Sequence, residues 1–252
     1  MLTAQRYQII LQALNEAGIC KLNELVHLTD ASESTIRRDL DELETQGLLE
    51  RIHGGAQLIT HLTVDQAQND REQLHRSEKE KIAKYAVDNF VADGQVIYLD
   101  AGTTVQEVIP YLARFHDLNL ITNSVTTALK LSEQNLHVFL PGGHLKSTTK
   151  ALVGSATMSA LANFHFDLAF IGSNGIAGSG DLMTPDIDEA DIKQAVIASS
   201  TKKVVLSDVS KFQQVAFATF GNLNQVDLLV TGTLVPKLKT HFKQKNIKEL
   251  DS

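Results

Sequence analysis

The sequence predicts an α/β protein of two domains: a small helical module closed by a β-hairpin, then a larger domain with helices packed on a mostly parallel sheet. Three observations carry this. Within the first 58 residues, apolar side chains recur at helical spacing in three short runs, and a Gly-Gly pair then separates two short apolar segments. From about residue 78, short apolar strand-like runs alternate with helix-period segments, and such alternation implies crossover connections and hence parallel strands. The length of 252 residues fits a small domain plus a medium one.

The first helix is marked by Tyr7, Ile10, Leu11 and Leu14, and Gly18 stops it. Leu22, Leu25, Val26 and Leu28 predict a second helix of about two turns. Ser32 is placed to N-cap a third, which buries Ile36, Leu40 and Leu43 and ends at Gly47 as a left-handed C-terminal cap. Gly54-Gly55, flanked by Leu48 to Ile52 and Ala56 to Leu58, then signals a hairpin. Residues 1–58 are therefore expected to form a winged helix-turn-helix. Residues 59–77, polar and without strong period, are expected to be a linker with some helical tendency, and residues 78–252 to form the α/β domain. Its expected strands are Val96–Leu99, Leu118–Thr122, His137–Leu140, Asp167–Gly172, Val204–Ser207 and Val226–Thr231; helices are expected at Thr104–Ala113 and Ile187–Ser199.

Composition narrows the function classes. Hydrophobic residues at 43% and charged residues at 21% describe a globular chain rather than a disordered one. No run approaches the roughly 18 apolar residues of a membrane span, and the N-terminus lacks the pattern of a signal peptide, so a cytoplasmic protein without membrane partners is expected. Cys20 is the single cysteine, which excludes an intramolecular disulfide, and it is expected to be buried. The nine histidines show no paired ligand spacing, so no metal site is expected. No cofactor is implied either.

Net charge is −7, and in residues 1 to 60 only Arg6, Lys21, Arg37, Arg38 and Arg51 stand against nine acids. Any affinity for nucleic acid must come from local placement. Turning 100° per residue from Ile36, Leu40 and Leu43 fall within about 40° of it, while Ser34, Arg37, Arg38 and Asp41 lie on the outer half. Guanidinium groups in the first turns of such a helix suit bidentate contact with guanine or phosphate. An Arg-Arg pair alone would more often be a solvated helix face paired with Asp41 or Glu42. Here it accompanies a three-residue turn, a capped helix and a hairpin bearing Arg51 and His53, which points to duplex DNA.

In the larger domain, Val96 to Thr104 reads as a buried strand entering a Gly-Thr-Thr turn that opens a helix, a place where N–H groups can hold a phosphate. Ordinary strand-to-helix turn chemistry would look the same. Further loops after expected strands carry Thr122-Asn123-Ser124, Gly142-Gly143 with Lys146, Gly172 to Gly175, and Ser207-Asp208 with Ser210-Lys211. Glycine permits close approach, Asn and Asp suit sugar hydroxyls, and lysine neutralises phosphate. Converging on one cleft, they would describe a polyol-phosphate site.

The segment Ser32-Glu33-Ser34-Thr35-Ile36-Arg37-Arg38-Asp39-Leu40, with Leu43-Glu44, Gly47 and Arg51-Ile52-His53-Gly54-Gly55-Ala56, resembles the signature of the DeoR family of bacterial regulators. The resemblance continues through DAGTT, ITNS, PGG, ALVG, DLAFIGSNGI, DEADIKQAVI and SDVSKF. It implies that Ser32, Ser34, Thr35, Arg37 and Arg38 belong to an operator-facing surface, with Arg51 and His53 near phosphates. It also implies a sensor domain related in fold to ribose-5-phosphate isomerase and glucosamine-6-phosphate deaminase. On the same basis Asp100, Gly102, Thr103, Thr104, Asn123, Ser124, Lys146, Glu189, Lys193, Asp208 and Lys211 are candidates for its effector cleft. Lys146 stands where many relatives have arginine, and Val230-Thr231-Gly232-Thr233 replaces a more usual Ile-Thr-Asp. ASESTIRRDL, Lys146 to Ala151 and Thr184-Pro185-Asp186 look most like the fructose-operon repressors, implying fructose 1-phosphate as effector; a lactose or tagatose phosphotransferase-system repressor is the competing subgroup. A homodimer or homotetramer is expected, since one module reads few base pairs. A sugar-phosphate isomerase-like enzyme is the alternative class, with Asp100, Glu189, Asp208 and Lys211 as possible acid-base groups, but no compact catalytic motif is visible and no catalytic residue is assigned.

Overall fold

The computed structural model describes residues 3–45, 49–58, 68–243 and 245–251, and the chain divides into two compact units, Met1–His61 and Leu62–Ser252. Gly47, the expected C-terminal cap, lies outside the described residues, as do residues 59–67 of the expected linker.

The first unit holds α1 (Thr3–Ala17), β1 (Ile19–Lys21), α2 (Leu22–Thr29), α3 (Glu33–Thr45), β2 (Leu49–Ile52) and β3 (Gly55–Leu58). Gly18 ends α1 with a left-handed backbone, φ +73°, and its N–H reaches the Leu14 carbonyl at 2.7 Å. Ile10, Leu14, Leu25, Ile36, Leu40, Leu43 and Leu49 close one core that also takes in Cys20. Leu28, read as part of the buried stripe of α2, is 55% exposed; Thr29 takes the inward place and bonds its hydroxyl to the Leu25 carbonyl at 2.7 Å. The hairpin β2–β3 is antiparallel, and β1 adds a third strand on β3. That strand has three residues, too few for a period to register. It requires Gly55: a Cβ there would collide with the Cys20 carbonyl oxygen.

The second unit opens with α4 (Gln68–Gln73) and α5 (Arg76–Phe90). Both begin inside the stretch expected to be linker. The chain continues through β4 (Val96–Leu99), α6 (Thr103–Gln106), a 3₁₀ helix Ile109–Arg114, β5 (Asn119–Thr122), α7 (Val125–Glu133), β6 (Val138–Phe139), β7 (His144–Leu145) and β8 (Leu152–Val153). It ends with α8 (Ser155–Leu161), β9 (Phe166–Gly172), β10 (Gly175–Ile176), β11 (Asp181–Thr184), α9 (Ile187–Ser199), β12 (Ser200–Leu206), β13 (Ala218–Asn222), β14 (Leu228–Thr231), α10 (Pro236–His241) and β15 (Ile247–Glu249). The helix expected over Thr104–Ala113 is a single α-turn followed by 3₁₀ structure, with Pro110 in the first turn of the latter, as its missing N–H and fixed φ favour.

Seven strands form one sheet in the order β15-β14-β12-β9-β4-β5-β6. All six pairings are parallel. Both faces are covered, and alternation along the strands sorts the side chains. Ile97, Leu99, Leu168, Phe170, Val204 and Leu206 meet Ile82, Ala86, Val105 and Leu112 in one core; Tyr98, Ala169, Ile171 and Val205 meet Leu161, Ala190 and Val196 in the other. A smaller antiparallel sheet, β10-β11-β13, and the pair β7-β8 sit outside this layer. No described helix is long and apolar enough to cross a membrane.

Candidate functional site

On α3, Ser32 caps the first turn. Its hydroxyl accepts the Thr35 N–H at 3.2 Å and lies 2.9 Å from the Ser34 and 2.8 Å from the Thr35 hydroxyls. Ser34, Arg37 and Arg38 are exposed beside half-buried Thr35, so hydroxyls and guanidiniums form one outward face. Arg37 pairs back to Glu33, Nη2 to Oε1 at 2.6 Å, rather than forward to Asp41. Arg38 makes no ion pair among the described residues. Arg51 on β2 pairs with Asp41, and its N–H bonds Glu44 at 2.8 Å, which ties the hairpin to the end of α3 instead of leaving Arg51 unengaged. His53 is exposed at the hairpin turn. Asp39 faces inward and takes two bonds from Arg6, at 2.6 and 2.9 Å, so this acid braces α3 against α1 and stays off the outer face.

In the second unit, the chain runs from β4 toward β5 and β6 on one side, while β9 and β12 lie on the other. The order therefore reverses between β4 and β9, and the crevice beyond the carboxyl ends at such a point is where open α/β sheets take ligands. Asp100 leaves β4 there, 2% exposed, accepting the Gly172 N–H at 2.8 Å and pairing with Lys193. Lys193 also donates to the Gly172 carbonyl at 3.1 Å. Gly102 and Gly172 pack backbone to backbone, since a Cβ on Gly102 would meet Gly172 Cα at 3.4 Å.

Four parallel neighbours, β12, β9, β4 and β5, deliver their following loops to one edge of the sheet. Thr103 and Thr104 are buried at the start of α6. Asn123 accepts from the Tyr98 hydroxyl at 2.9 Å and donates to the Leu152 carbonyl at 3.2 Å; burial pushes the Tyr98 phenol well above its ordinary value. Ser124 caps α7 through the Thr127 N–H at 3.2 Å. Glu189 and Lys193 lie one turn apart on α9. Glu189 gathers Lys146 at 3.2 Å and Thr149 at 2.7 Å, and Lys146 also reaches Asp186 at 3.1 Å. Asp208 caps the turn that holds Lys211, accepting from the Ser210 N–H at 3.1 Å. Burial works against its charge, yet Lys211, Ser210, Lys79 and His75 together hold its pKa below the ordinary aspartate value.

Lys79 is a residue that the sequence reading passed over. It is 3% exposed on α5, and its ammonium donates to Thr103 Oγ1 at 3.1 Å and to the Arg71 carbonyl at 2.5 Å. Desolvation lowers its pKa, with Lys211 and Arg71 adding to the effect and Asp208 opposing it; an arriving anion would reverse that. The signal was available: Lys79 continues the inward stripe of Ile82, Ala83 and Ala86, where a lysine needs a buried partner. Lys79 thus brings to the start of α6 a positive charge that a one-turn helix cannot supply through its dipole. The structure also accounts for Gly232. A Cβ there would overlap Glu78, whose carboxylate accepts the Val209 N–H at 2.9 Å. Burial raises its pKa.

Residues 6–61 match the DeoR-like helix-turn-helix domain and residues 74–233 the DeoR C terminal sensor domain. A transcriptional regulator FruR from Bacillus subtilis is 36% identical over 92% of this chain and 92% of its own length. The glycerol-3-phosphate regulon repressor of Escherichia coli is 32% identical over 94% of this chain and 93% of its own. Among solved structures, ribose 5-phosphate isomerase from Plasmodium falciparum aligns with 54% of this chain and 52% of its own at 21% identity and a TM-score of 0.41. The chain belongs to the DeoR family of DNA-binding transcriptional regulators, a regulator rather than an enzyme, with an N-terminal helix-turn-helix and a C-terminal sensor domain.

Proposed function

We propose that this protein represses a sugar-utilisation operon and leaves its operator when a small phosphorylated sugar enters the cleft at the β4–β9 switch point. The observation that carries the reading is the Lys79 ammonium held against Thr103 at that crevice, with Asp208 and Lys211 in the turn that follows β12. The lysines and Thr103, with Thr104 and Gly102, would hold the phosphate, while Asp100, Asn123, Ser124, Lys146, Glu189, Lys193 and Asp208 would meet or orient the groups that meet the hydroxyls. Ser32, Ser34, Thr35, Arg37 and Arg38 would read the operator, and Arg51 and His53 would lie near its phosphates. We place the boundaries at residues 1–58, 59–77 and 78–252, the site of action in the cytoplasm and the active species as a homodimer or homotetramer.

Fructose 1-phosphate is the effector favoured here, because ASESTIRRDL, the Lys146 to Ala151 loop and Thr184-Pro185-Asp186 look most like fructose-operon repressors and a FruR regulator is 36% identical. A lactose or tagatose phosphotransferase-system repressor is the second reading. Calorimetry with fructose 1-phosphate, tagatose 6-phosphate and glycerol 3-phosphate, paired with gel shifts on the DNA upstream of its own gene, tests both. Binding and operator release by fructose 1-phosphate alone are expected. Release only by another of the three would reassign the operon, and no release by any phosphorylated sugar would end the reading.

A further inference from the structure

The six residues of α4, Gln-Asn-Asp-Arg-Glu-Gln, contain no apolar side chain. A helix this short has no stability of its own, so contacts must order it, and its hydrogen bonds and ion pair reach the candidate cleft or its supports. Gln68, 1% exposed, donates its N–H to the Thr148 carbonyl at 3.0 Å. Its side-chain amide donates to Thr126 Oγ1 at 3.0 Å and accepts from it at 3.3 Å. Thr126 is in turn 3.0 Å from the Ser124 hydroxyl and accepts from Gln106 at 2.9 Å. At the other end, the Arg71 carbonyl takes the Lys79 ammonium at 2.5 Å, and Glu72 pairs with Lys130 at 3.2 Å.

We propose that α4 is a strap across the effector cleft, docked when the cleft is empty and released when an anionic sugar phosphate competes for the groups that hold it. The inference rests on the cleft reading above and adds how occupancy is felt outside the site. Lys79 is shared between strap and cleft, holding the Arg71 carbonyl with one proton and Thr103 with another. A dianionic phosphate beside Thr103 is a stronger acceptor than a peptide carbonyl, so it draws the ammonium away from Arg71. With no apolar side chain of its own, α4 exchanges hydrogen bonds rather than buried apolar side chains for water when it leaves. In sequence it lies between the winged module and α5, so releasing it changes the tether between the two units.

Hydrogen exchange on the full chain, with and without fructose 1-phosphate and with inorganic phosphate as a second probe, tests this. Amides of residues 69–74 are expected to exchange at least tenfold faster when the cleft is saturated, while those of 103–107 slow. Gln68→Ala is expected to bind fructose 1-phosphate about 3–10-fold more tightly, as loss of one net hydrogen bond from the competing strap allows; a merely structural Gln68 would give weaker or equal binding. Residues 69–74 unchanged or slower at saturation, or no gain in affinity from Gln68→Ala, overturns the strap while leaving the cleft standing. If calorimetry finds neither probe bound by the wild-type protein, the cleft reading fails and takes the strap with it.

Discussion

Arg37 and Arg38 differ in what each must give up to touch DNA. Arg37 first has to leave Glu33, an exposed pair of the kind worth up to about 1 kcal/mol, whereas Arg38 starts without an ion partner among the described residues. Arg38→Ala should therefore cost about 1–3 kcal/mol at the cognate operator if it reads a base, and Glu33→Ala should tighten binding slightly; gel shifts on cognate and scrambled duplexes separate base reading from phosphate contact. In the sensor domain the Asp100–Lys193 pair is deeply buried, with side-chain exposures of 3% and 7%. Lys193→Met strands a buried carboxylate and should remove about 3–5 kcal/mol of stability. Asp100→Leu combined with Lys193→Met should recover much of it, as read by urea denaturation; equal losses from single and double variants would mean that the pair contributes little as a pair. Residues such as these were legible as candidates through the family resemblance, Asp100 in the DAGTT segment and Lys193 in DEADIKQAVI. Their mutual pairing was not, since 93 residues separate them and no local pattern reports such contact.

At the scale of elements, legibility followed length and continuity of pattern. The bounds of β4 at Val96–Leu99 and of α9 at Ile187–Ser199 were readable to the residue, one from a four-residue apolar run, the other from a helix-period segment; the structure adds the N-cap Asp186, which accepts the Glu189 N–H at 3.0 Å. The two- to five-residue strands β7, β8, β10, β11 and β13 were not, because their pairing partners come from distant segments and period 2 has no room to appear. α4 was legible only as a helical tendency within the expected linker, for a different reason: its order comes from hydrogen bonds to the cleft, and a fully polar helix carries no hydrophobic period. β1 illustrates how a short strand can still be demanding. Gly55→Ala would drive a methyl group into the Cys20 carbonyl, backbone against backbone, where no side chain can move aside. The variant should lose about 1–3 kcal/mol or more from the winged module and weaken operator binding, while effector binding by the sensor domain stays intact. Thermal melts, together with calorimetry on the same protein, measure both; an unchanged melting profile would show that β1 shifts freely.

For the whole molecule, the two activities are linked only if the effector distinguishes operator-bound from free protein. An effector that binds the DNA-free form α-fold better must weaken DNA affinity by the same factor, and typical couplings of about 1–3 kcal/mol correspond to roughly 5–150-fold. Lys211 lies in the sensor unit in the turn that Asp208 caps, away in sequence from every residue of the reading helix. Lys211→Met should weaken fructose 1-phosphate binding by about 1–3 kcal/mol, the loss of a charge-assisted bond, and leave operator affinity without effector unchanged. Linkage then dictates the phenotype: a protein that no longer senses the sugar stays on its operator, so the controlled genes remain silent in the inducing sugar. Symmetry adds a condition to the same experiment. One module reads few base pairs, so two must act together on half-sites about one helical turn or a multiple apart, and light scattering should report a mass above the 27.6 kDa of one chain. Mixed oligomers of wild-type and Lys211→Met chains should then be partly blind to the sugar and repress in a heterozygous cell. Full induction there, with oligomers confirmed, would mean that one sensing subunit suffices to release the operator.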